Sequence, residues 1–156
     1  GLQLREISKK VGVAPTSVKK YLKELEQQNL ILHEKHRIHN YPTYLANRDS
    51  EYFKLLKKID MVASIYESGL LDCLNDKCLP DAIILFGSTA KGEDLKESDI
   101  DLFLQSKERK LELKKYELQL GRKINVFFSE DFNKLSKELK NNIINGIILK
   151  GYLKLF

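Results

Sequence analysis

The sequence predicts an α+β chain in two parts, a basic helical module at the N-terminus and a helix-flanked β-sheet after it. The first observation is charge: residues 1–48 hold nine basic side chains against four acidic ones, whereas the rest of the chain is balanced. The second is periodicity, because apolar residues recur at helical spacing in the first third and short apolar runs alternate with helical patterns afterwards. We therefore expect two domains, 1–48 and 49–156.

Composition argues against a membrane protein. No stretch of the 156 residues approaches the length of a transmembrane helix, and no signal-peptide pattern opens the chain. Cys73 and Cys78 form no CxxC motif, so we interpret them as buried thiols in a reducing compartment. These features predict a cytoplasmic protein, and the basic first third indicates a polyanionic partner.

The first two elements are predicted helices. Apolar residues recur at helical spacing up to Gly12, and Pro15 stands where a first helical turn accepts proline. The second helix would bury Val18, Leu22 and Leu25. Its opposite side carries groups suited to DNA phosphates and base edges, although ordinary solvated lysines would give the same pattern. These residues are Thr16, Ser17, Lys19, Lys20 and Lys23.

A β-hairpin is expected after the second helix. Two apolar runs, around Leu32 and Tyr44, flank a basic tip that contains Arg37, a further candidate for DNA contact. Three histidines at intervals of three in this tip would alternate between strand faces, so no shared metal is expected. The segment from Val11 to Ile31 resembles the winged helix-turn-helix family of DNA-binding domains, with its first helix expected to be missing or cut short. The resemblance implies binding of double-stranded DNA.

The second part begins with a long amphipathic helix that starts at Ser50 and is expected to kink at Gly69. Later elements follow from apolar runs and capping residues. In chain order they are a strand over 82–86, a strand over 99–104, a helix over 107–120, a strand over 122–128, a helix capped by Ser129 or Asp131, and an apolar tail over 143–149. The tail is expected to pack against the core or against a second copy of the chain, as in a homodimer.

Two carboxylates mark the predicted site. Asp99 and Asp101 flank Ile100 at the start of a strand, so both side chains point to one face. Two like charges this close repel unless a cation lies between them, and Mg²⁺, with Mn²⁺ as an alternative, suits carboxylate oxygens. Gly87 ends the preceding strand and would let a phosphate approach the backbone, where Ser88 would hold it. A solvated loop edge is the alternative interpretation.

This constellation resembles the nucleotidyltransferase domain of the DNA polymerase beta superfamily, especially its minimal nucleotidyltransferases. The match runs through Phe86–Gly92 and Ser98–Leu102, with Lys91 where the family usually has arginine. The implied fold is a mixed β-sheet flanked by helices. The implied reaction transfers a nucleoside monophosphate from a nucleoside triphosphate, expected to be ATP, to a protein or small-molecule hydroxyl. The implied nucleotide-binding residues are Gly87, Ser88, Lys91 and Ser98, and the implied metal ligands and catalytic residues are Asp99 and Asp101.

The family's third catalytic acid falls on Asn125. Asparagine can offer a carbonyl oxygen to a metal, but it brings no negative charge and cannot act as a general base. Glu130 lies five residues further on, roughly 17 Å away at about 3.3 Å per residue on a strand. Nothing in the sequence is expected to fix Glu93, Asp94 or Glu97 near the site.

Two functions therefore remain open. One is a Mg²⁺-dependent nucleotidyltransferase joined to a DNA-binding domain. The other is a DNA-binding transcriptional regulator whose weakened nucleotidyltransferase-like domain senses a nucleotide or serves in dimerisation, and Asn125 favours it. The two are compatible in an antitoxin that modifies a small helical toxin and binds its own operator, a combination that the family resemblance alone implies. A relic fold without a ligand is the third alternative.

Overall fold

A computed structural model describes residues 1–156 of the protein, which divide into two compact units, Gly1–Leu55 and Leu56–Phe156. None of the helices combines the length and apolar character that a membrane span requires. The chain is an α+β protein, as the sequence predicts, with its β-strands in two separate sheets.

The first unit contains two helices and a hairpin. Its β-strands pair antiparallel, with His33 opposite Tyr44. The buried residues of this unit are Val18, Leu22, Leu30 and Thr43. Leu25 of α2, which the sequence predicts to be buried, is 37 % exposed, because so small a core covers only part of the apolar side of the helix. The elements are α1 (Leu4–Val11), α2 (Pro15–Gln27), β1 (Ile31–Lys35) and β2 (Pro42–Ala46).

The second unit is built on a four-stranded mixed sheet with the spatial order β5-β4-β3-β6. Strand β3 is antiparallel to both β4 and β6, whereas β4 and β5 are parallel. The elements are α3 (Glu51–Ser68), which begins in the first unit, α4 (Leu70–Cys78), β3 (Ala82–Phe86), α5 (Ser88–Lys91), β4 (Ile100–Leu104), α6 (Lys114–Leu120), β5 (Ile124–Phe128), a 3₁₀ turn (Phe132–Lys134), α7 (Lys137–Ile144) and β6 (Ile147–Gly151).

Both faces of this sheet are covered, which explains why β3 is buried along its whole length. Alternate strand residues point to opposite sides. Ile83, Leu85 and Leu102 belong to one core cluster, together with apolar residues of α3 and α4. Ile84, Phe86 and Phe103 belong to the other, together with Phe132 and Ile143. The polar residues at the strand ends belong to neither core cluster, so packing of the core does not account for them.

Two predicted helices differ from the structure. The long helix from Ser50 does not kink but breaks into α3 and α4, because Gly69 takes a left-handed conformation with φ +80°. Within the predicted helix over 107–120, only Lys114–Leu120 is helical. Residues 107–113 are not helical, and Leu111 and Leu113 both pack against the core, although residues two apart point to opposite sides of a helix.

The chain after β5 also departs from prediction. Asp131 accepts a hydrogen bond from the Asn133 N–H (2.9 Å), but it caps only a 3₁₀ turn, and Ser136 caps a separate helix, α7. The apolar tail predicted over 143–149 divides between the end of α7 and strand β6, whose Leu149 is buried. Its expected packing against the core is thus confirmed in the form of a fourth strand.

Both cysteines are free thiols, as predicted. Cys78 is buried and Cys73 is partly buried. Burial raises the pKa of the Cys78 thiol above its usual range. Because the thiolate is the reactive form, Cys78 is a poor nucleophile and behaves as a core residue.

Candidate functional site

The candidate site lies where one end of each of three neighbouring strands, β3, β4 and β5, meets the others. Asp101 is the second residue of β4, and Asp99 immediately precedes that strand. Pairing with β3 places Asp101 opposite Phe86, and parallel pairing with β5 places it opposite Asn125. The register of the sheet therefore brings Asp99, Asp101 and Asn125 together, although 24 residues separate Asp101 from Asn125 along the chain.

One amide group joins the two carboxylates. Asn125 Nδ2 donates hydrogen bonds to Asp99 Oδ2 (3.1 Å) and to Asp101 Oδ1 (2.9 Å). The amide nitrogen must face these oxygens, since an amide oxygen at the same place would repel both carboxylates. We call this cluster the carboxylate–amide bridge.

The carboxylate–amide bridge gives the two acids a partner that is part of the protein. Hydrogen bonds to charged groups typically contribute about 1.5–3 kcal/mol each, so the amide offsets part of the repulsion between Asp99 and Asp101. From the spacing of the two acids in the sequence, a cation is expected to offset this repulsion. A cation at the same place would instead have to displace the Asn125 N–H groups.

The donor set of the bridge fits one hard divalent cation. Asp99 and Asp101 offer carboxylate oxygens, and Asn125 offers an amide oxygen once its side chain rotates. Two metal ions about 3.5–4 Å apart would have to share only two carboxylates of the protein here. No group of three or more His, Cys, Asp or Glu side chains suited to a metal occurs in the chain.

Gly87 makes room for the Asp101 carboxylate. Its backbone has φ +75° and ψ −158°, a region that residues with a side chain rarely enter. A Cβ atom at this position would lie 2.5 Å from Asp101 Oδ2. The sequence pattern explains Gly87 by a close phosphate, and the structure adds a second reason within the protein itself.

The turn that follows Gly87 carries three polar side chains. Ser88 is partly buried and Lys91 is exposed, at the two ends of the short helix α5. Thr89, which no sequence motif singles out, is 1 % exposed, and its hydroxyl is buried without a hydrogen-bond partner. Native proteins leave few buried hydroxyls without a partner, so the Thr89 hydroxyl is a hydrogen-bonding group in this turn that the protein does not use.

An aromatic side chain lies on the same side of β5 as Asn125. Phe127 is two residues further along the strand and 40 % exposed, and its ring packs against the Phe86 ring at 5.4 Å between centroids. The sequence pattern indicates Phe127 only as part of a strand. An exposed ring beside a polar site is suited to stacking with a flat group such as a nucleobase.

Ser98 and Asp94 have roles that the sequence did not reveal. The Ser98 hydroxyl accepts a hydrogen bond from the Leu95 N–H (2.8 Å), so it closes the turn that leads to Asp99. Asp94 is 2 % exposed and forms ion pairs with Lys57 and Arg122. The expectation that nothing fixes Asp94 is therefore wrong. No local spacing could have shown it, since these partners lie 37 and 28 residues away.

The predicted DNA-contacting residues lie on two elements of the first unit. Arg37 is exposed in the hairpin tip, separate from the group on α2. The histidines of the hairpin take part in stacking: His33 stacks on Tyr44 and His36 on Tyr41. On α2, the exposed members of the predicted group are Thr16, Lys19, Lys20 and Lys23, and Ser17 is partly buried.

Comparison with known protein families supports both parts of the chain. The family model described as nucleotidyltransferase domain matches residues 67–149, which is more than half of the chain. The model described as winged helix-turn-helix DNA-binding matches residues 1–31. No curated protein matches the chain. The range 67–149 contains the carboxylate–amide bridge. The range 1–31 contains α1, α2 and the first residue of β1.

The contact between Gly87 and Asp101 can be tested by Gly87→Ala. Strained backbone and the close approach of Cβ to Asp101 should lower the free energy of unfolding by about 2–4 kcal/mol, measured by chemical denaturation. Gly121→Ala is the matched control, because Gly121 also has positive φ but no atom within 4 Å of the place that a Cβ atom would take, and about 1 kcal/mol is expected. Equal losses in the two variants would contradict the proposed contact.

Proposed function

Because the chain belongs to the nucleotidyltransferase domain family and carries a winged helix-turn-helix at its N-terminus, we propose that it is a Mg²⁺-dependent nucleotidyltransferase that also binds double-stranded DNA. The observation that carries the proposal is the pair Asp99 and Asp101 beside the Gly87–Ser88 turn. An acceptor hydroxyl of a protein or small molecule would attack the α-phosphorus of a nucleoside triphosphate, with ATP first among candidates. The new P–O bond would replace the bond to pyrophosphate, which leaves, and the proton of the hydroxyl would pass to solvent.

The residues of the site divide this task. Asp99 and Asp101 would hold Mg²⁺, which neutralises phosphate charge and orients the reacting groups when it is bound. Gly87 and Ser88 would bind phosphate oxygens through the backbone and the hydroxyl. Lys91 is exposed and would add a point charge near the phosphates. Ser98 would act indirectly, through the turn that precedes Asp99.

Asn125 limits the rate that we expect. Its side chain can rotate to present Oδ1 to the cation, but an amide does not take up the proton of an acceptor hydroxyl. A positioned general base typically contributes about 10²–10⁴-fold to a rate. Transfer by this protein should therefore be slow compared with transfer by a variant that has a carboxylate at position 125.

A second function is favoured by the same residue. Asn125 contacts both carboxylates but cannot act as a general base, so the unit is suited to sensing a nucleotide while the N-terminal unit binds DNA. The protein would then be a transcriptional regulator, with dimerisation through the nucleotidyltransferase-like unit. An antitoxin role toward a small helical toxin combines both functions and rests on the family resemblance. Use of DNA and nucleoside triphosphates suits a cytoplasmic location.

The enzymatic proposal is tested with labelled nucleoside triphosphates, Mg²⁺ and candidate acceptors. We expect slow transfer by the native chain, none by Asp99→Ala, and about 10²-fold or faster transfer by Asn125→Asp. Asp76→Ala, which removes an exposed acid on α4, is the control and should behave as the native chain. Nucleotide binding without transfer, in the native chain and in Asn125→Asp alike, would favour the sensor instead.

The DNA-binding proposal is tested by neutralising Lys19, Lys20 and Lys23 together. Each lysine that contacts a phosphate contributes about one unit to the slope of log K against log salt, so the slope should fall by about three. Duplex binding measured by fluorescence anisotropy at several salt concentrations gives this slope. The control neutralises three exposed lysines of the other unit, Lys110, Lys134 and Lys137, and has the same net charge. Equal weakening by both variants would contradict binding through α2.

A further inference from the structure

A buried ion cluster lies beside the candidate site and is not explained by the proposed chemistry. Asp94 is 2 % exposed, and its two carboxylate oxygens contact different cations. Lys57 Nζ lies 3.0 Å from Oδ1, and an Arg122 guanidinium nitrogen lies 2.7 Å from Oδ2. Burying charges carries a desolvation penalty, so a pair of this kind is weak evidence for stability, and in some proteins it fixes one conformation.

Arg122 makes two more hydrogen bonds to the same segment. Its second terminal nitrogen donates to the Leu95 carbonyl (2.8 Å) and to the Ser98 carbonyl (3.0 Å). One guanidinium group therefore holds three acceptors along residues 94–98. We call this arrangement the Arg122 clamp. The planar fork of arginine suits such multiple contacts, whereas the single nitrogen of lysine does not.

The clamp joins the two segments that carry the carboxylate–amide bridge. Residues 94–98 lead directly into Asp99, and Arg122 stands three residues before Asn125. Next to the clamp, the Ile100 N–H donates to the Lys123 carbonyl (2.8 Å). Asp101 lies within β4 and is held by its neighbours in the sheet, but Asp99 lies outside that strand. The position of Asp99 relative to Asn125 thus depends on the turn over residues 94–98, to which Arg122 is hydrogen-bonded.

We propose that Arg122 is a positioning residue that holds Asp99 against Asn125 and so sets the affinity of the site for a divalent cation with nucleotide. The ligand in this statement rests on the proposed function, but the positioning itself does not. Replacing a residue that orients metal ligands without contacting the metal typically lowers metal affinity by 10–100-fold. Arg122→Lys keeps the positive charge and loses the fork, so it isolates geometry from charge.

The first experiment needs no ligand. In the full chain, NMR of the Asn125 side-chain amide in divalent-free buffer reports whether its protons are bonded to Asp99 and Asp101. We expect the shift and the slowed solvent exchange of these protons to be lost in Arg122→Lys. Lys123→Gln is the control, because Lys123 is an exposed cation at the next position and its side chain is outside the clamp. Unchanged Asn125 signals in Arg122→Lys would overturn the proposal.

The second experiment measures Mn²⁺ affinity in the presence of a non-hydrolysable ATP analogue. We expect a 10–100-fold loss in Arg122→Lys and native affinity in Lys123→Gln. Urea unfolding of each variant is recorded alongside, because a merely structural role would lower stability without changing the affinity of the folded protein. Native affinity in folded Arg122→Lys would overturn the link to the ligand.

Two provisions keep the test decisive. If the native chain binds neither Mn²⁺ nor the analogue, the proposed function fails and the NMR experiment alone decides on the Arg122 clamp. If Arg122→Lys does not fold, Ser98→Ala takes its place. That variant removes the hydroxyl that accepts from the Leu95 N–H, without a change of charge, and should shift the Asn125 signals in the same direction. Native signals in Ser98→Ala would then count against positioning by this turn.

Discussion

Two hydrogen bonds from one amide group hold the candidate site of the larger unit together. Asp99 and Asp101 project from one face of a strand start, and Asn125 Nδ2 contacts both at 3.1 and 2.9 Å. The surrounding structure is consistent with the needs of this bridge. Parallel pairing of β4 and β5 sets Asn125 opposite Asp101, and Gly87 omits the Cβ atom that would collide with Asp101. The two apolar layers bury the sheet and so fix the register on which these contacts depend.

The carboxylate–amide bridge bears on both the enzymatic and the regulatory proposal, because the residue at position 125 affects both cation binding and transfer. A carboxylate at position 125 would repel Asp99 and Asp101 and make the cluster depend on cations. The amide removes that dependence, but it must give up its two hydrogen bonds before a cation takes its place. In the proposed function, Mg²⁺ with nucleotide would compete with the Asn125 amide for the two carboxylates. Such a site would respond to nucleotide concentration, as a sensor must, and its two acids would still support slow transfer.

The sequence predicts those features that depend on local pattern. Gly12 and Pro15 bound the first two helices, and the alternation of Asp99 and Asp101 gives their common face, as the structure shows. Features that depend on distant partners are missed. Leu111 and Leu113 fall within the predicted helix over 107–120, yet both pack against the core in a segment that is not helical. The sequence gives no sign that Asp94 is fixed, because its partners Lys57 and Arg122 become neighbours only in the folded chain. The contact of the Asn125 amide with both carboxylates likewise follows from strand register rather than from spacing.

The number of divalent ions at the site tests the importance of Asn125 most directly. Mn²⁺ bound per chain can be counted by electron paramagnetic resonance in the presence of a non-hydrolysable ATP analogue. We predict a single ion for the native chain, and a second, tighter-bound ion for Asn125→Asp, since the added carboxylate supplies the missing charge. Two ions in the native chain, or the same count and affinity in both proteins, would contradict a metal site limited by the Asn125 amide.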